Sequence, residues 1–182
     1  FFMKEMVALH ESKAGERGVF NREAAQNIAA RNGRRDATVD FGTNPCSEII
    51  LRPNQFCNLS EVVVRSDDTL DTLKYKVKWA TVLGTLQSSL TNFRYLRPIW
   101  RRNTEEEALL GVSLTGIMDN KVMAGANESQ LEGWLKELKD VAIQTNAKWA
   151  KRLGVRPSAA ITCVKPSGTV SQLVNSASGI HP

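Results

Sequence analysis

A thiol, a carboxylate and an amide alternate along the short segment Asn44-Pro45-Cys46-Ser47-Glu48. In an extended chain, residues two apart point to the same side, so the side chains of Asn44, Cys46 and Glu48 would converge on one small ligand. The cysteine could act as a nucleophile or hydrogen-atom carrier, the glutamate as a general base and the asparagine as a hydrogen-bond donor. A buried cysteine beside a solvated glutamate and a turn asparagine is the structural alternative, and the spacing alone favours it.

A second thiol, Cys57, follows Cys46 after eleven residues. The intervening turn-forming residues leave enough chain for the two sulfurs to approach each other. Two thiols beside one carboxylate suit a thiol-based reduction, because a disulfide formed on turnover can be reset by exchange with an external dithiol. A core cysteine at the start of a strand is an equally good interpretation of this position.

Residues 165–171, Lys-Pro-Ser-Gly-Thr-Val-Ser, form a predicted turn of small residues between a strand and a helix. Its backbone N–H groups, the hydroxyls of Ser167, Thr169 and Ser171 and the dipole of the following helix could hold a phosphate group. The segment lacks the spacing of a Walker A loop. Turns of this composition also cap helices without binding a ligand, so phosphate binding is a hypothesis.

The remaining candidates indicate packing rather than chemistry. Cys163 lies in an apolar run and is interpreted as an inert core thiol. His10 and His181 have no partners at metal-ligand spacing, and three cysteines are too few for a zinc site or a disulfide framework, so no metal site is predicted. The four tryptophans fall mostly on apolar helix faces, which favours core packing over base stacking.

Composition and charge indicate a soluble globular chain. The 182 residues are 42% hydrophobic and 24% charged, and 24 basic residues against 19 acidic ones give a net charge of +5. No apolar run is long enough for a membrane span and the first residues lack the order of a signal peptide, so a cytoplasmic protein is expected. The basic residues form isolated pairs, which does not favour a nucleic-acid groove.

The first part of the chain predicts a short helix and a long loop. Asn21 can cap a helix that ends near Arg31, with Gly33 as its stop signal. Residues 36–58 carry turn-forming residues around a short apolar run, and a loop of this length in a compact domain is usually functional. The candidate thiols therefore lie on a loop that neighbouring elements must hold.

The second part of the chain predicts strands that alternate with helices. The strands are predicted at residues 61–64, 159–164 and, unless a buried turn stands there, 111–118. The helices are predicted from an Asp67 or Asp68 cap to Leu90, from Asn103-Thr104 through an acidic first turn of Glu105, Glu106 and Glu107, and over residues 128–153. This alternation predicts an α/β architecture with a parallel sheet or barrel, in which chemistry lies at strand ends and in loops.

Several ordered motifs resemble class II, adenosylcobalamin-dependent ribonucleotide reductases over nearly the whole chain. Asn44-Pro45-Cys46-Ser47-Glu48-Ile49 and Phe56-Cys57-Asn58-Leu59 resemble the finger loop of that family, and further matches lie at residues 11–18, 80–87, 111–116 and 165–169. The resemblance implies a ten-stranded α/β barrel with a central finger loop at about residues 36–58. Because both ends of the chain are abrupt, residues 1–182 are expected to be a fragment of that single catalytic barrel domain.

The resemblance also implies a role for each candidate residue. Cys46 would carry the thiyl radical that removes the 3′ hydrogen of a ribonucleotide, Glu48 would take the 3′-hydroxyl proton and Asn44 would hydrogen-bond the ribose. Cys57 would be one of two reducing thiols, the second lying upstream of this chain. The substrate phosphates would be held by Ser167, Gly168, Thr169 and Ser171.

The implied cofactor is adenosylcobalamin, with most of its site outside this chain. The implied partners are a ribonucleotide substrate, for which the motif spelling favours a triphosphate, a thioredoxin-like dithiol reductant and a nucleotide effector, with no membrane and no stable nucleic-acid partner. The competing hypothesis is a non-catalytic nucleotide- or nucleic-acid-binding module. It rests on the net basic charge and the turn at residues 167–171, and its signature would be binding that weakens steeply with salt.

Overall fold

The structure is a computed structural model that describes residues 1–14, 18–31 and 33–179. Its elements are α1 Phe2–Ser12, α2 Arg22–Ala30, β1 Gly42–Thr43, β2 Ile50–Leu51, β3 Asn58–Val63, α3 Leu70–Ser88, α4 Pro98–Glu107, β4 Leu110–Thr115, α5 Glu128–Leu153 and α6 Gly168–Leu173. The prediction for His181 and part of the motif at residues 11–18 lie outside the described residues. Within those residues no helix is both long and apolar enough to cross a bilayer.

A parallel pair of strands forms the centre of the fold. β3 and β4 run in register, with Asn58 opposite Leu110. The segment at residues 159–163 follows the other edge of β4, where Val112 and Thr162 form a parallel bridge. The α/β class is thereby confirmed, although the described part of the chain forms small sheets and not a ten-stranded barrel.

Helices α3 and α5 cover one face of this strand pair because each has an apolar side. Leu73 and Val77 of α3 pack with Leu138 and Ala142 of α5 against buried residues of both strands. Side chains alternate between the two faces of a strand, so the opposite face of β3 and β4 remains for the candidate site.

Three helix boundaries agree with the sequence signals. Asn21 caps α2, and its Oδ1 accepts a hydrogen bond from the Ala24 N–H at 2.9 Å. The bounds of α5 match the prediction, and Gly154 ends this helix in the left-handed region at φ 68°. A residue without Cβ adopts that conformation at little cost, which is why a glycine stops the helix there.

The predicted cap and apolar face of α3 are partly wrong. Thr69 caps this helix, and its side chain accepts a hydrogen bond from the Thr72 N–H. Asp68 instead accepts hydrogen bonds from the Arg65 N–H and from Lys76. Toward the end of the helix the predicted apolar positions Leu83 and Leu90 are exposed. Gly84, Thr85 and Ser88 carry the buried face there, so Leu83 lies on the outer side of the helix, and Leu90 follows the end of α3.

The acidic run at residues 105–107 ends a helix rather than beginning one. α4 starts at Pro98, whose fixed φ suits the first helical position, and its last turn contains Glu105 and Glu107. Acidic side chains are unfavourable at the negative end of the helix dipole. Ion pairs with Arg101 and Arg35 compensate for this, and the sequence alone does not reveal the second of them.

The predicted strand at 159–164 is reduced to an extended segment. The Val112 N–H donates to the Ile161 carbonyl at 2.8 Å, and the Cys163 N–H donates to the Val112 carbonyl at 3.1 Å. Thr162 and Val164 are exposed, so the segment is not buried throughout. The small-residue turn and a short helix then follow as predicted.

Candidate active site

A short hairpin of β1 and β2 carries the segment of thiol, amide and carboxylate. Asn44 shapes its turn: Oδ1 accepts a hydrogen bond from the Ile49 N–H at 3.0 Å, and the Asn44 carbonyl accepts one from the Ser47 N–H at 3.0 Å. Cys46 lies exposed at the tip. The carbonyl half of the Asn44 side chain is therefore engaged within the loop, and its contact with a ribose stays a prediction.

A buried ion pair fixes this loop to the end of α4. Arg35 and Glu107 approach to 2.8 Å, and each side chain is only 6% exposed. Gln55 Nε2 donates to the same carboxylate at 2.6 Å, and Arg35 donates to the Ile50 carbonyl at 2.9 Å. The Glu107 carboxylate thus holds the loop near both of its ends. Sequence reasoning missed this contact because its partners are 72 residues apart.

The carboxylate of Glu48 is buried, and among the described residues neither of its oxygens has a hydrogen-bond partner. Its side chain lines a cavity of about 260 Å³ together with Arg34 and Arg35. Burial of an unsatisfied carboxylate is costly, so buried polar groups of this kind usually receive a donor. The position is therefore suited to a ligand that carries a hydroxyl or N–H group.

Two half-buried thiols, Cys57 and Cys163, pack in the same small apolar cluster as Ile49. Burial and the charge of Glu48 raise the pKa of the Cys57 thiol above its ordinary value. Burial raises the pKa of Cys163 to about 12, and Glu48 and Cys57 contribute to the increase. Both groups therefore stay protonated at neutral pH. The prediction that Cys163 is unreactive fits this pKa, but its position beside the candidate residues was missed.

Lys165 brings a positive charge to this group. Its Nζ lies 2.7 Å from Glu61 Oε1. The hydrogen bond from Lys165 to Glu61 raises the pKa of Lys165, and the charges of Glu48 and Cys46 also raise it. Glu48 and Cys46 thus lie close enough to Lys165 to raise its pKa, and Glu48 lies close enough to Cys57 and Cys163 to raise theirs.

The serine hydroxyls of the 165–171 turn are engaged inside the protein. Ser167 is buried and donates to Glu61 Oε2 at 2.5 Å, and Ser171 is buried and donates to the Gly168 carbonyl at 3.2 Å. Gly168 and Thr169 are exposed. A phosphate at this turn would meet those two residues first, and phosphate binding by the turn stays a prediction.

Within the described part of the chain, no three His, Cys, Asp or Glu side chains are grouped as a metal site requires. The residues that sequence reasoning missed are Glu61, Lys165 and Cys163. For Glu61 the sequence offers one signal: a charged residue stands next to the valines of the predicted strand at 61–64. A charge in a buried strand needs a partner, which indicates a tertiary contact.

No protein-family model matches the chain. By structure, the chain is similar to a B12-dependent (class II) ribonucleotide reductase, with a TM-score of 0.57 and 22% sequence identity over 75% of this chain and 22% of that one. The fold is therefore that of a part of a class II ribonucleotide reductase.

By sequence, the chain is similar to proteins named adenosylcobalamin-dependent ribonucleoside-triphosphate reductase. The protein of Lacticaseibacillus paracasei is 29% identical over 96% of this chain, and that of Euglena gracilis is 31% identical over 88%. The chain spans 27% and 21% of the length of these two relatives. It is thus a relative of one part of the adenosylcobalamin-dependent ribonucleoside-triphosphate reductases, and the resemblance inferred from its motifs is confirmed.

Proposed function

We propose that this chain forms part of the catalytic barrel of a ribonucleotide reductase that converts ribonucleoside triphosphates to 2′-deoxyribonucleotides. The observation that carries the proposal is the buried, unpartnered carboxylate of Glu48 beside Cys57 and Lys165. A ribose hydroxyl is a donor of the right kind for that carboxylate. The names of the relatives support the same reaction.

Adenosylcobalamin, when bound, would supply the radical that the reaction needs. The described residues fit this requirement at one point: Cys46 is exposed at a loop tip, where a group held outside this chain can reach its sulfur. The loop itself is rigidly attached through Arg35 and Glu107, which would hold that sulfur in place.

In the proposed reaction the Cys46 sulfur radical takes the 3′ hydrogen atom of the ribose and becomes a thiol. Glu48 accepts the proton of the 3′ hydroxyl, so its empty acceptor oxygens are used. The 2′ hydroxyl leaves as water with a proton from Cys57, whose raised pKa keeps that proton available. Cys57 and a second thiol supply two electrons and the hydrogen that replaces the 2′ hydroxyl, and they end as a disulfide, which an external thioredoxin-like dithiol then reduces. Cys46 returns its hydrogen atom to C3′ and Glu48 returns the proton to the 3′ oxygen, which restores the sulfur radical.

The decisive experiment is Cys46→Ala in the complete protein. Turnover is expected to fall by at least about a thousandfold, because the substitution removes the sulfur to which the proposal assigns the radical. Nucleotide binding is expected to persist. Ser47→Gly is the matched control, since Ser47 lies next to Cys46 at φ 63° and glycine adopts that conformation readily.

Retained turnover in the Cys46→Ala variant would contradict the proposed chemistry. The competing function, a non-catalytic nucleotide- or nucleic-acid-binding module, predicts a different result. The unaltered protein would then show no reduction of ribonucleotides, and its binding to nucleic acid would weaken steeply as salt is raised.

A further inference from the structure

The carboxylate of Glu61 connects β3 to the 165–171 turn through both of its oxygens. Oε1 accepts a hydrogen bond from Lys165 Nζ at 2.7 Å and Oε2 accepts one from Ser167 Oγ at 2.5 Å. The Glu61 side chain is only 8% exposed. Hydrogen bonds to a buried charge are strong and directional, so these two contacts hold the turn on either side of Pro166.

The backbone of the turn depends on this support. Ser167 lies in the left-handed region at φ 58°, which a residue with a Cβ adopts only when its surroundings enforce it. The Gly179 N–H also donates to the Pro166 carbonyl at 3.0 Å and holds the turn from its other side. The conformation at Ser167 is therefore set by its neighbours rather than by its own preference.

Glu61 also shares a strand with a candidate reacting group. Cys57 directly precedes β3, and Glu61 lies four residues further along it. Alternate residues of a strand point to the same face, so the two side chains share one side of the sheet about 13 Å apart along the strand. A rigid strand thus separates the turn from the thiol by a constant distance.

We propose that Glu61 is a positioning residue that fixes the 165–171 turn on β3 and thereby sets where the phosphates of a ribonucleoside triphosphate lie relative to Cys57 and Glu48. This inference rests on the proposed function. Glu61 acts through Lys165 and Ser167 and does not itself touch the substrate.

The test is Glu61→Gln in the complete protein, because glutamine keeps the size and an acceptor for Ser167 but loses the charge that binds Lys165. The dissociation constants of CTP and of cytidine are measured by equilibrium binding. We expect about a tenfold weaker affinity for CTP and no change for cytidine. Glu61→Asp, which restores the charge on a shorter side chain, should recover part of the CTP affinity.

Asp68→Asn is the matched control. Asp68 follows the carboxyl end of β3, whereas Cys57 precedes its amino end. Like Glu61, it accepts hydrogen bonds from a lysine and a hydroxyl: Lys76 at 2.5 Å and Thr72 at 2.8 Å. This substitution should lower the thermal unfolding midpoint without changing CTP affinity. Unchanged CTP affinity in Glu61→Gln, or an equal loss in Asp68→Asn, would overturn the inference.

Lys165→Met keeps the inference testable if Glu61→Gln does not fold, because it breaks the same ion pair from the turn. It should also weaken CTP binding about tenfold, and the double variant should lose no more than either single one. An additive loss of about a hundredfold would mean that Lys165 acts independently of Glu61 and would overturn the inference.

Failure of the proposed function and failure of the inference about Glu61 give different combinations of turnover and CTP binding. If Cys46→Ala retained turnover while Glu61→Gln still weakened CTP binding, the radical chemistry would be wrong and the role of Glu61 would stand. If Cys46→Ala abolished turnover while Glu61→Gln bound CTP normally, only the role of Glu61 would be wrong.

Discussion

The loop at residues 36–58 and the layer of β3, β4, α3 and α5 are held in place by different forces. Buried apolar side chains such as Leu73 and Leu110 hold the layer, and apolar attraction has no preferred direction. The loop has smaller apolar clusters around Phe41 and Ile49 and, in addition, charged and polar contacts to Glu107 that require defined geometry. Stability therefore resides mostly in the layer, whereas the position of the candidate thiol depends on a few directional contacts.

The sharpest contrast in thiol reactivity is expected between Cys46 at the loop tip and Cys163, which packs beside β4 and the buried side of the loop. Only a thiolate reacts with iodoacetamide, and the pKa of Cys163 is raised to about 12. At pH 8 the Cys163 thiolate population should be roughly a thousandfold below that of an ordinary thiol. Mass spectrometry of the folded protein should show alkylation of exposed Cys46 long before Cys163. Because the pKa is raised, the Cys163 rate should increase about tenfold per pH unit from pH 7 to 10; equal rates at pH 8 would refute the contrast.

Leu73→Ala should have the largest effect on stability. Leu73 is fully buried between α3 and the strands, and the substitution leaves a cavity. We expect a loss of about 4 kcal/mol in the free energy of unfolding, measured by urea denaturation. Hydrogen exchange at residues 44–49 of the native protein should stay unchanged, and increased exchange confined to that loop would contradict the division between the regions.

Glu107→Gln should show the opposite pattern. It leaves the Arg35 guanidinium buried without its charge partner, so a loss of about 3 kcal/mol is expected. Hydrogen exchange should accelerate at residues 44–49 and remain slow in α5. Glu107→Asp should restore slow exchange only in part, since the shorter side chain cannot reach both Arg35 and Gln55. Full restoration would argue against the need for defined geometry.

Gly111→Ala probes the contact between the two regions, with a smaller expected effect of about 2 kcal/mol. A methyl group on Gly111 would come within 2.4 Å of Leu59 Cδ2, 2.9 Å of Ile49 Cδ1 and 3.1 Å of Cys163 Sγ. The loop would have to move away from β4 at Ile49, next to Glu48. Faster alkylation of Cys57 would report this movement. Gly84→Ala is the control on the side covered by α3, where the added methyl group would lie 3.3 Å from Leu110 Cδ2.

Local patterns predicted several elements of this fold correctly. The Asn21 cap, the full extent of α5 and its end at Gly154 follow from spacing and capping chemistry within a few residues. The same reasoning failed at α4, because a tertiary ion pair to Arg35 reverses the usual meaning of an acidic turn. It also assigned Leu83 and Leu90 to the buried face of α3, whereas Gly84, Thr85 and Ser88 are buried there and Leu90 lies beyond the helix.

The sequence by itself determined the alternation of helices and strands, the long loop and the motif of Asn44, Cys46 and Glu48, because each depends on neighbours within a few positions. Only the tertiary structure decided that the Glu48 carboxylate is buried without a hydrogen-bond partner in the described part of the chain and that Glu61 binds the turn 104 residues further along. Contacts of that separation form when β3, β4 and the segment at 159–163 pair side by side. No local pattern encodes which distant side chains the pairing brings together, and these are the contacts that position the candidate site.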